Sequence, residues 1–294
     1  DSLSFVPAGF LSTSPQRDQA VINRLTANVA NPFAGLLPGT TLNGSTVQLQ
    51  QLLLQYPQFT GVTIQGANIG YSNQHIASAT VQKRFSAGVQ LLATYTRSQM
   101  KEATSRLNPS DTDLYYGISN EDRPSRLVLS GVYALPFGSA GGPGAGAPGW
   151  ARALIANWTV SGHYTYQAGA IASFGNVIYL GGDLNWDARN INQAFDVTRF
   201  NRTPAEQLSM NIRTFTPDFF GVRTDGINTL NIAVFKDVPF GGQRALQLRA
   251  ESFNAFDYVQ FSGPQLNPTN ANFGRITSQA NSPRTFQFAV RFKW

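Results

Sequence analysis

The chain has 294 residues, 13% of them charged and 12% aromatic, and its formal net charge is +6 at pH 7. Its lysines and arginines are scattered rather than grouped into a stripe, so the positive charge does not indicate nucleic-acid binding. It has no cysteine, which excludes disulfide frameworks and thiolate sites, and no run approaches the roughly 20 apolar residues of a membrane helix.

The first segment, residues 1–70, is expected to be an extracellular loop region with a possible strand. It opens on Asp1-Ser-Leu-Ser without the charged and apolar parts of a signal peptide. We therefore expect that a leader has been removed or that the chain is a piece of a longer protein.

The first clear strand pattern is a hairpin formed by residues 71–85 and 87–98. Successive side chains of a strand point to opposite faces of a sheet, and apolar and polar residues alternate on both arms. One face is predicted to carry Ala77, Ala79, Val81, Val89, Leu91, Ala93 and Tyr95. The other is predicted to carry Ser78, Thr80, Gln82, Thr94 and Thr96.

Four further segments alternate in the same way: residues 126–137, 158–167, 228–238 and 245–253. Both 126–137 and 158–167 are long enough to cross a bilayer as tilted strands of roughly 9 to 11 residues. In the segment 245–253 the polar residues Gln247, Arg249 and Glu251 alternate with Leu246, Leu248 and Ala250.

The last segment, residues 283–294, is the most informative, because it alternates strictly and stops on an aromatic residue. An outer-membrane β-barrel typically ends in this way, although the edge strand of a soluble β-domain also alternates. One face carries Phe286, Phe288, Val290, Phe292 and Trp294. A cation facing mid-bilayer lipid costs roughly 2 to 4 kcal/mol, so we expect the polar residues to line the lumen: Gln247, Arg249, Glu251, Arg291 and Lys293. We also expect pairing among Arg249, Glu251 and Arg291 across neighbouring strands.

The connections between these strands are alternately short and long, as in barrels with short periplasmic turns and long extracellular loops. The glycine-rich run 138–149 falls where a periplasmic turn is expected and, lacking a phosphate-binding ending and a following helix, is predicted to be a flexible linker. Seven strands are an odd number. The first and last strands then run in the same direction and cannot close an antiparallel barrel, so further strands are expected upstream.

Several runs resemble the C-terminal barrel region of Oar-like TonB-dependent outer-membrane receptors. They are QYPQFTGV (55–62), DRPSRLVLS (122–130), ALPFG (134–138), YQAG (166–169), VFKD (234–237), LRAESFNAF (248–256), FGRI (273–276) and SPRTFQF (282–288). Together they cover nearly the whole chain in the family's order.

The resemblance implies an all-β fold: a 22-stranded transmembrane barrel occluded by an N-terminal plug, preceded in many members by a carboxypeptidase-regulatory-like domain. Residues 71–294 would be roughly its last seven to eight strands, with the plug and the N-terminal barrel strands absent. The implied partners are outer-membrane lipid of a Gram-negative cell, the TonB energy-coupling system acting through the missing part, and the barrel assembly machinery. That machinery would read an assembly signal at Val290, Phe292 and Trp294.

No catalytic or metal constellation stands out, and we predict neither an enzyme nor a cofactor. The two histidines, His75 and His163, are predicted on polar strand faces without a third ligand. Four aspartates of the longest loop leave calcium binding open: Asp183, Asp187, Asp218 and Asp225. Aromatic residues of the long loops are candidates for stacking on a ligand, or else for packing the loops together: Tyr115, Tyr116, Trp186, Phe219 and Phe220.

Two functions from different classes remain. The first is a TonB-dependent receptor that takes up a large solute, or moves protein, through its loops and lumen. The second is a non-transport protein whose structural or binding surface presents loops to glycan or protein. The sequence names neither the solute nor the direction of transport.

Overall fold

The computed structural model describes residues 2–218, 221–242 and 244–294. Its strands, in chain order, are β1 (Asn28–Ala30), β2 (Thr46–Gln48), β3 (Tyr71–Ser86), β4 (Val89–Ala103), β5 (Gly117–Ile118), β6 (Ser125–Ala134), β7 (Trp158–Gln167), β8 (Ile227–Pro239), β9 (Ala245–Phe253) and β10 (Thr285–Lys293). Seven of them form one antiparallel sheet in the order β10-β9-β8-β7-β6-β4-β3, and β5 pairs with β4. The prediction of an all-β antiparallel fold built from seven long strands is confirmed.

The two edges of this sheet are β3 and β10, as the odd strand count predicted. Every neighbouring pair is antiparallel, so β3 and β10 run in the same direction. They therefore cannot pair with each other to close an all-antiparallel barrel. The sheet is an open wall, and every residue of β3 is exposed.

The connections divide between two ends of the sheet. At one end, here called the loop end, lie residues 104–124, 168–226 and 254–284, and the chain also enters β3 there. At the other, the turn end, lie residues 87–88, 135–157 and 240–244 and the terminal Trp294. The tightest turn uses Ala87 and Gly88 with φ of 50° and 78°, the two positive values of a type I′ hairpin turn.

The first 70 residues contain the short pair β1–β2 and two helices, α1 (Gln19–Thr26) and α2 (Leu49–Leu52). The N-cap residue Asp18 accepts hydrogen bonds from Val21 N (3.1 Å) and Ser12 Oγ (2.9 Å). These two bonds stabilise the carboxylate and lower the pKa of Asp18. A third helix, α3 (Gly149–Ile155), lies at the turn end. No helix in the described part of the chain is long and apolar enough to span a membrane.

The buried core lies within the loop end rather than on a face of the sheet. The rings of Phe174 and Phe200 stack with centroids 5.2 Å apart, and Phe195 meets Phe273 edge-on at 5.1 Å. Around them pack Ala172, Val177, Leu184, Ala194, Val222 and Ile276. The loop residues thus bury their own aromatic side chains.

Candidate functional site

The strand register separates the sheet into a polar face and an apolar face. Residues directly opposite each other on paired strands share a face, and Gln247 lies opposite Arg291, Arg249 opposite Ala289 and Ala245 opposite Lys293. The register therefore places all five lumen-facing candidates on the polar face: Gln247, Arg249, Glu251, Arg291 and Lys293. Across β8 and β7 that face continues through Asp237, Phe235, Thr159, Ser161, His163 and Thr165.

The charges of the polar face form local contacts along β8, β9 and β10. Asp237 Oδ1 accepts hydrogen bonds from Lys293 Nζ at 2.9 Å and from Gln247 Nε2 at 3.1 Å. Arg249 pairs with Glu251 along the same strand, and its guanidinium lies 5.1 Å from the ring centroid of Phe235. The expected pairing of Arg249 and Glu251 with a neighbouring strand was thus wrong, because residues two apart on one strand also share a face.

The two histidines lie on different faces. His163 is on the polar face, where Nδ1 is 2.8 Å from Ser130 Oγ and Nε2 is 3.2 Å from Thr165 Oγ1. His75 lies opposite Gln99, two residues before the pair Ala77–Arg97, and so shares the face of Ala77 and Ala79. At this end of the strand that face also carries Gln99 and Arg97, so the residues around His75 are polar although the face farther along the sheet is apolar.

The apolar face is built from aliphatic and aromatic residues of every long strand. Its exposed residues include Val81, Leu91, Tyr133, Tyr166, Leu248, Phe286, Phe288 and Val290. Lys236 is an exception that the sequence analysis missed: it lies opposite Trp158 and Leu248 and is only 6% exposed.

Asp122 joins two of the long connections at the loop end. Its side chain is 3% exposed, and Oδ2 lies 2.5 Å from Arg223 Nη2. Oδ1 accepts a hydrogen bond of 2.6 Å from Met100 N, just beyond the point where β6 stops pairing with β4. Arg223 also donates to Gly169 O at 3.1 Å. One buried ion pair thus completes the end of a strand ladder and fixes the segment 168–226 against 104–124.

A second ion pair brings in the third long connection. Asp225 Oδ2 accepts from Arg189 Nη1 at 2.9 Å and from Phe261 N at 3.0 Å. The Arg189 guanidinium lies 4.5 Å from the ring centroid of Tyr258 and 5.2 Å from that of Phe261. This ion pair lies within the connection 168–226, and the hydrogen bond from Phe261 N and the rings of Tyr258 and Phe261 attach the connection 254–284 to it. The carboxylate of Asp225 is thus already paired with Arg189.

Two partly buried hydrogen bonds of Arg213 add a third link. Its N–H donates to Asn108 Oδ1 at 2.8 Å and its guanidinium donates to Phe174 O at 2.6 Å. Burial lowers the pKa of Arg213, and the nearby carboxylate of Asp218 opposes this effect.

The loop aromatics proposed as ligand contacts occupy different environments. Trp186 stacks on Phe195 with centroids 5.4 Å apart and donates from Nε1 to Arg223 O at 2.7 Å. Tyr115 is hydrogen-bonded to Thr216 through its hydroxyl. Tyr116 is 44% exposed and stacks on Tyr71 of β3 at 5.8 Å. Phe219 and Phe220 lie outside the described residues.

A cleft of about 330 Å³ opens in the loop end between the N-terminal segment and the long connection 168–226. Its walls combine apolar side chains with amides and hydroxyls: Ser14, Pro15, Asn176, Ile178, Tyr179 and Asn211. It is large enough for a small ligand.

The loop aspartates do not converge on a metal site. Asp183 and Asp187 accept hydrogen bonds from nearby backbone N–H groups, of Asn185 at 3.1 Å and of Arg189 at 2.9 Å. Asp218 accepts from Ser173 Oγ at 2.8 Å. Within residues 2–218, 221–242 and 244–294, no three acidic or histidine side chains are grouped as metal ligands would be.

Comparison with known proteins indicates the family of the chain. A family model described as "Outer membrane beta barrel domain" matches residues 13–287. No curated protein and no solved structure matches the chain.

Proposed function

The chain belongs to the outer membrane beta barrel domain family, and from this premise we propose that it forms part of the wall and the extracellular loops of a TonB-dependent receptor. The receptor would take up a large solute, or move protein, across the outer membrane. Its loop end would capture the solute, and its polar face would line the lumen.

The open sheet is the observation that carries this proposal. The seven long strands of the described sheet leave the outer edges of β3 and β10 without a partner strand, and these two strands run in the same direction. A backbone group without a partner costs several kcal/mol in hydrocarbon. The wall therefore fits a barrel larger than these seven strands. Among large outer-membrane barrels, those of 16 to 18 strands are porins with an aqueous channel, and those of 22 strands are transporters with a plugged lumen. The resemblance of the eight runs favours the latter.

The different lengths of the connections at the two ends of the sheet support an orientation in the outer membrane. Outer-membrane barrels have short periplasmic turns and long extracellular loops, so we place the turn end and Trp294 in the periplasm. The loop end, with its cleft and its three linked connections, then faces the outside. The charged contacts around Asp237 and Arg249 would line the lumen. A plug inside the barrel would therefore contact polar side chains of the wall.

Channel conductance tests the transporter proposal without knowledge of the solute. The complete gene product that contains this chain would be inserted into a planar bilayer in potassium chloride. We expect little ion current until urea is added, since a plug would block the lumen, and a reversible large current in urea. A steady current without urea would indicate an open pore, and no current under either condition would favour the non-transport alternative. Both results would overturn the proposal.

The terminal aromatics provide a test of assembly. Phe292 and Trp294 stack with centroids 5.9 Å apart and are 46% and 88% exposed. If the assembly machinery reads these side chains, Phe292→Ala with Trp294→Ala should lower the amount of folded, heat-modifiable protein in outer membranes several-fold. The matched control is Phe253→Ala with Phe256→Ala at the loop end, which removes two exposed aromatics and should have little effect. Equal levels for both double variants would contradict the assignment.

A further inference from the structure

The connection between β6 and β7 folds back onto the apolar face of the sheet. It comprises residues 135–157 and ends in α3, whose backbone carbonyls at the C-terminal end would otherwise lack partners. Lys236 Nζ donates to Ala153 O at 2.6 Å and to Ala156 O. Trp158 Nε1 donates to Leu154 O at 2.7 Å. Both donors come from the apolar face, so α3 lies beside that face.

This arrangement explains the buried lysine of the apolar face. An ammonium group facing lipid would be costly, but here Lys236 is covered and satisfied by the end of α3, and its Nζ lies 5.5 Å from the ring centroid of Trp158. A cation at the C-terminal end of a helix is also favourably placed. Lys236 therefore anchors α3 to the wall.

The glycine-rich run is folded against α3 rather than extended. Gly138 N donates to Pro143 O at 2.9 Å, and Ala145 N donates to Gly142 O at 3.2 Å. Gly138 has φ of 68°, and a Cβ there would lie 2.8 Å from the Ala156 side chain. The prediction of a flexible linker without a following helix was wrong, because the chain uses these glycines to turn tightly beside α3.

The outward side of this element is apolar. Trp150 is 73% exposed and Leu154 is 64% exposed, and residues four apart lie on the same side of a helix. An apolar groove of about 610 Å³ runs beside them, lined by Leu135, Phe137, Pro143, Leu154, Ile155 and Trp158. Residues 135–157 contain one charged residue, Arg152, and no acidic residue.

We propose that the β6–β7 connection binds the phospholipid leaflet at the turn end, with Trp150 and Leu154 inserted at the level of the headgroups. The occupant follows from continuity, because Trp158 lines both this groove and the neighbouring groove of the apolar face with Val234, Leu248 and Phe288. In a member of this family the apolar face is the surface that meets lipid. Tryptophan favours the membrane–water interface, and the single positive charge of the connection suits anionic headgroups.

Spin labelling of the complete protein tests this proposal. The chain has no cysteine of its own, and any cysteine elsewhere in the protein would first be replaced by serine. The probe is a vesicle of phosphatidylethanolamine and phosphatidylglycerol. A nitroxide at Leu154→Cys should be more accessible to oxygen than to a water-soluble nickel chelate, like a reference label at Val290→Cys on the apolar face. A label at Arg152→Cys, on the opposite side of α3, should show the reverse preference.

Two outcomes would overturn the proposal. If the label at residue 154 is as accessible to the nickel chelate as the label at residue 152, the connection lies in water. If neither reagent reaches residue 154, a protein surface covers the groove.

Lys236→Met provides a second measurement. It keeps the length of the side chain and suits the apolar face, so the barrel should still fold, but it removes the donor to Ala153 O and Ala156 O. The label at residue 154 should then become more mobile, while the label at residue 290 should not change. Unchanged mobility at residue 154 would refute the anchoring role of Lys236.

Discussion

Replacement of Val290 by arginine should cost about 2 to 4 kcal/mol of the free energy of unfolding from a bilayer, the cost of a cation on the lipid face of a barrel near the midplane. Val290 lies near the middle of β10, is 68% exposed, and shares the apolar face with Phe288 and Phe292. Arginine at this position would have no carboxylate on its own face of β9, since its cross-strand partner is Leu248. Urea-induced unfolding of the complete protein in lipid vesicles would measure the loss.

The matched control is Gln287→Arg, three residues earlier on the same strand. Gln287 lies on the polar face directly opposite Glu251, so arginine there gains a cross-strand carboxylate and should change the free energy of unfolding little. The two variants place the same side chain on opposite faces of β10, so the difference between their losses measures the difference between the two environments. Equal losses at residues 287 and 290 would mean that the apolar face does not meet lipid, and would favour the non-transport, soluble alternative.

The strands of this protein were predictable because a period of two is a strong constraint. A shift of one residue would move every side chain of a strand to the other face, so alternation fixes both the extent and the facing of a strand. The bounds of β7 and β9 agree with the predicted segments 158–167 and 245–253. By contrast β4 continues to Ala103, beyond the predicted residue 98. Its polar end pairs with β3 and β5 at the loop end, where the alternation is no longer informative.

The contacts of the loop end could not be predicted from the sequence. Asp122 and Arg223 are far apart in the chain, and nothing periodic relates them. Trp186 could be proposed as an exposed ligand contact or as a residue that packs the loops together, and its stacking on Phe195 agrees with the latter. Only the folded positions of three connections reveal which aromatic side chains remain exposed.

Lys236 shows that alternation predicts the face on which a side chain lies but not the other contacts of that side chain. Its position in β8 assigns it to the apolar face, but the pattern alone does not show what compensates the charge there. The compensation comes from the end of α3, which follows a glycine-rich run that resembles a linker. The same face also carries Lys83 and Arg97, which are exposed. A lysine in the pattern, as in VFKD (234–237), therefore does not by itself reveal an element packed over it.

Removal of the Asp122 carboxylate should have the largest effect at the loop end. Removing one partner of a buried ion pair typically costs 3 to 5 kcal/mol, because the other charge stays buried without compensation. The Arg223 side chain is still 24% exposed, so water reaches part of it and we expect about 3 kcal/mol for Asp122→Ala, the lower end of that range. The Met100 amide donates a hydrogen bond of 2.6 Å to the Asp122 carboxylate. The rate of hydrogen exchange at this amide would measure the local opening.

Three variants identify the source of this loss. Glu121→Ala removes the adjacent exposed carboxylate, which makes no ion pair in the described part of the chain, and should leave the Met100 amide protected. Asp122→Asn keeps an oxygen for Met100 N but removes the charge, so its loss should lie between those of the other two. Adding Arg223→Met to Asp122→Ala removes the stranded cation and should restore part of the stability. If the double variant is no more stable than Asp122→Ala, the loss comes from the hydrogen bond between Asp122 and Met100 N, which holds the segment 104–124 to β4, and not from the ion pair to the segment 168–226.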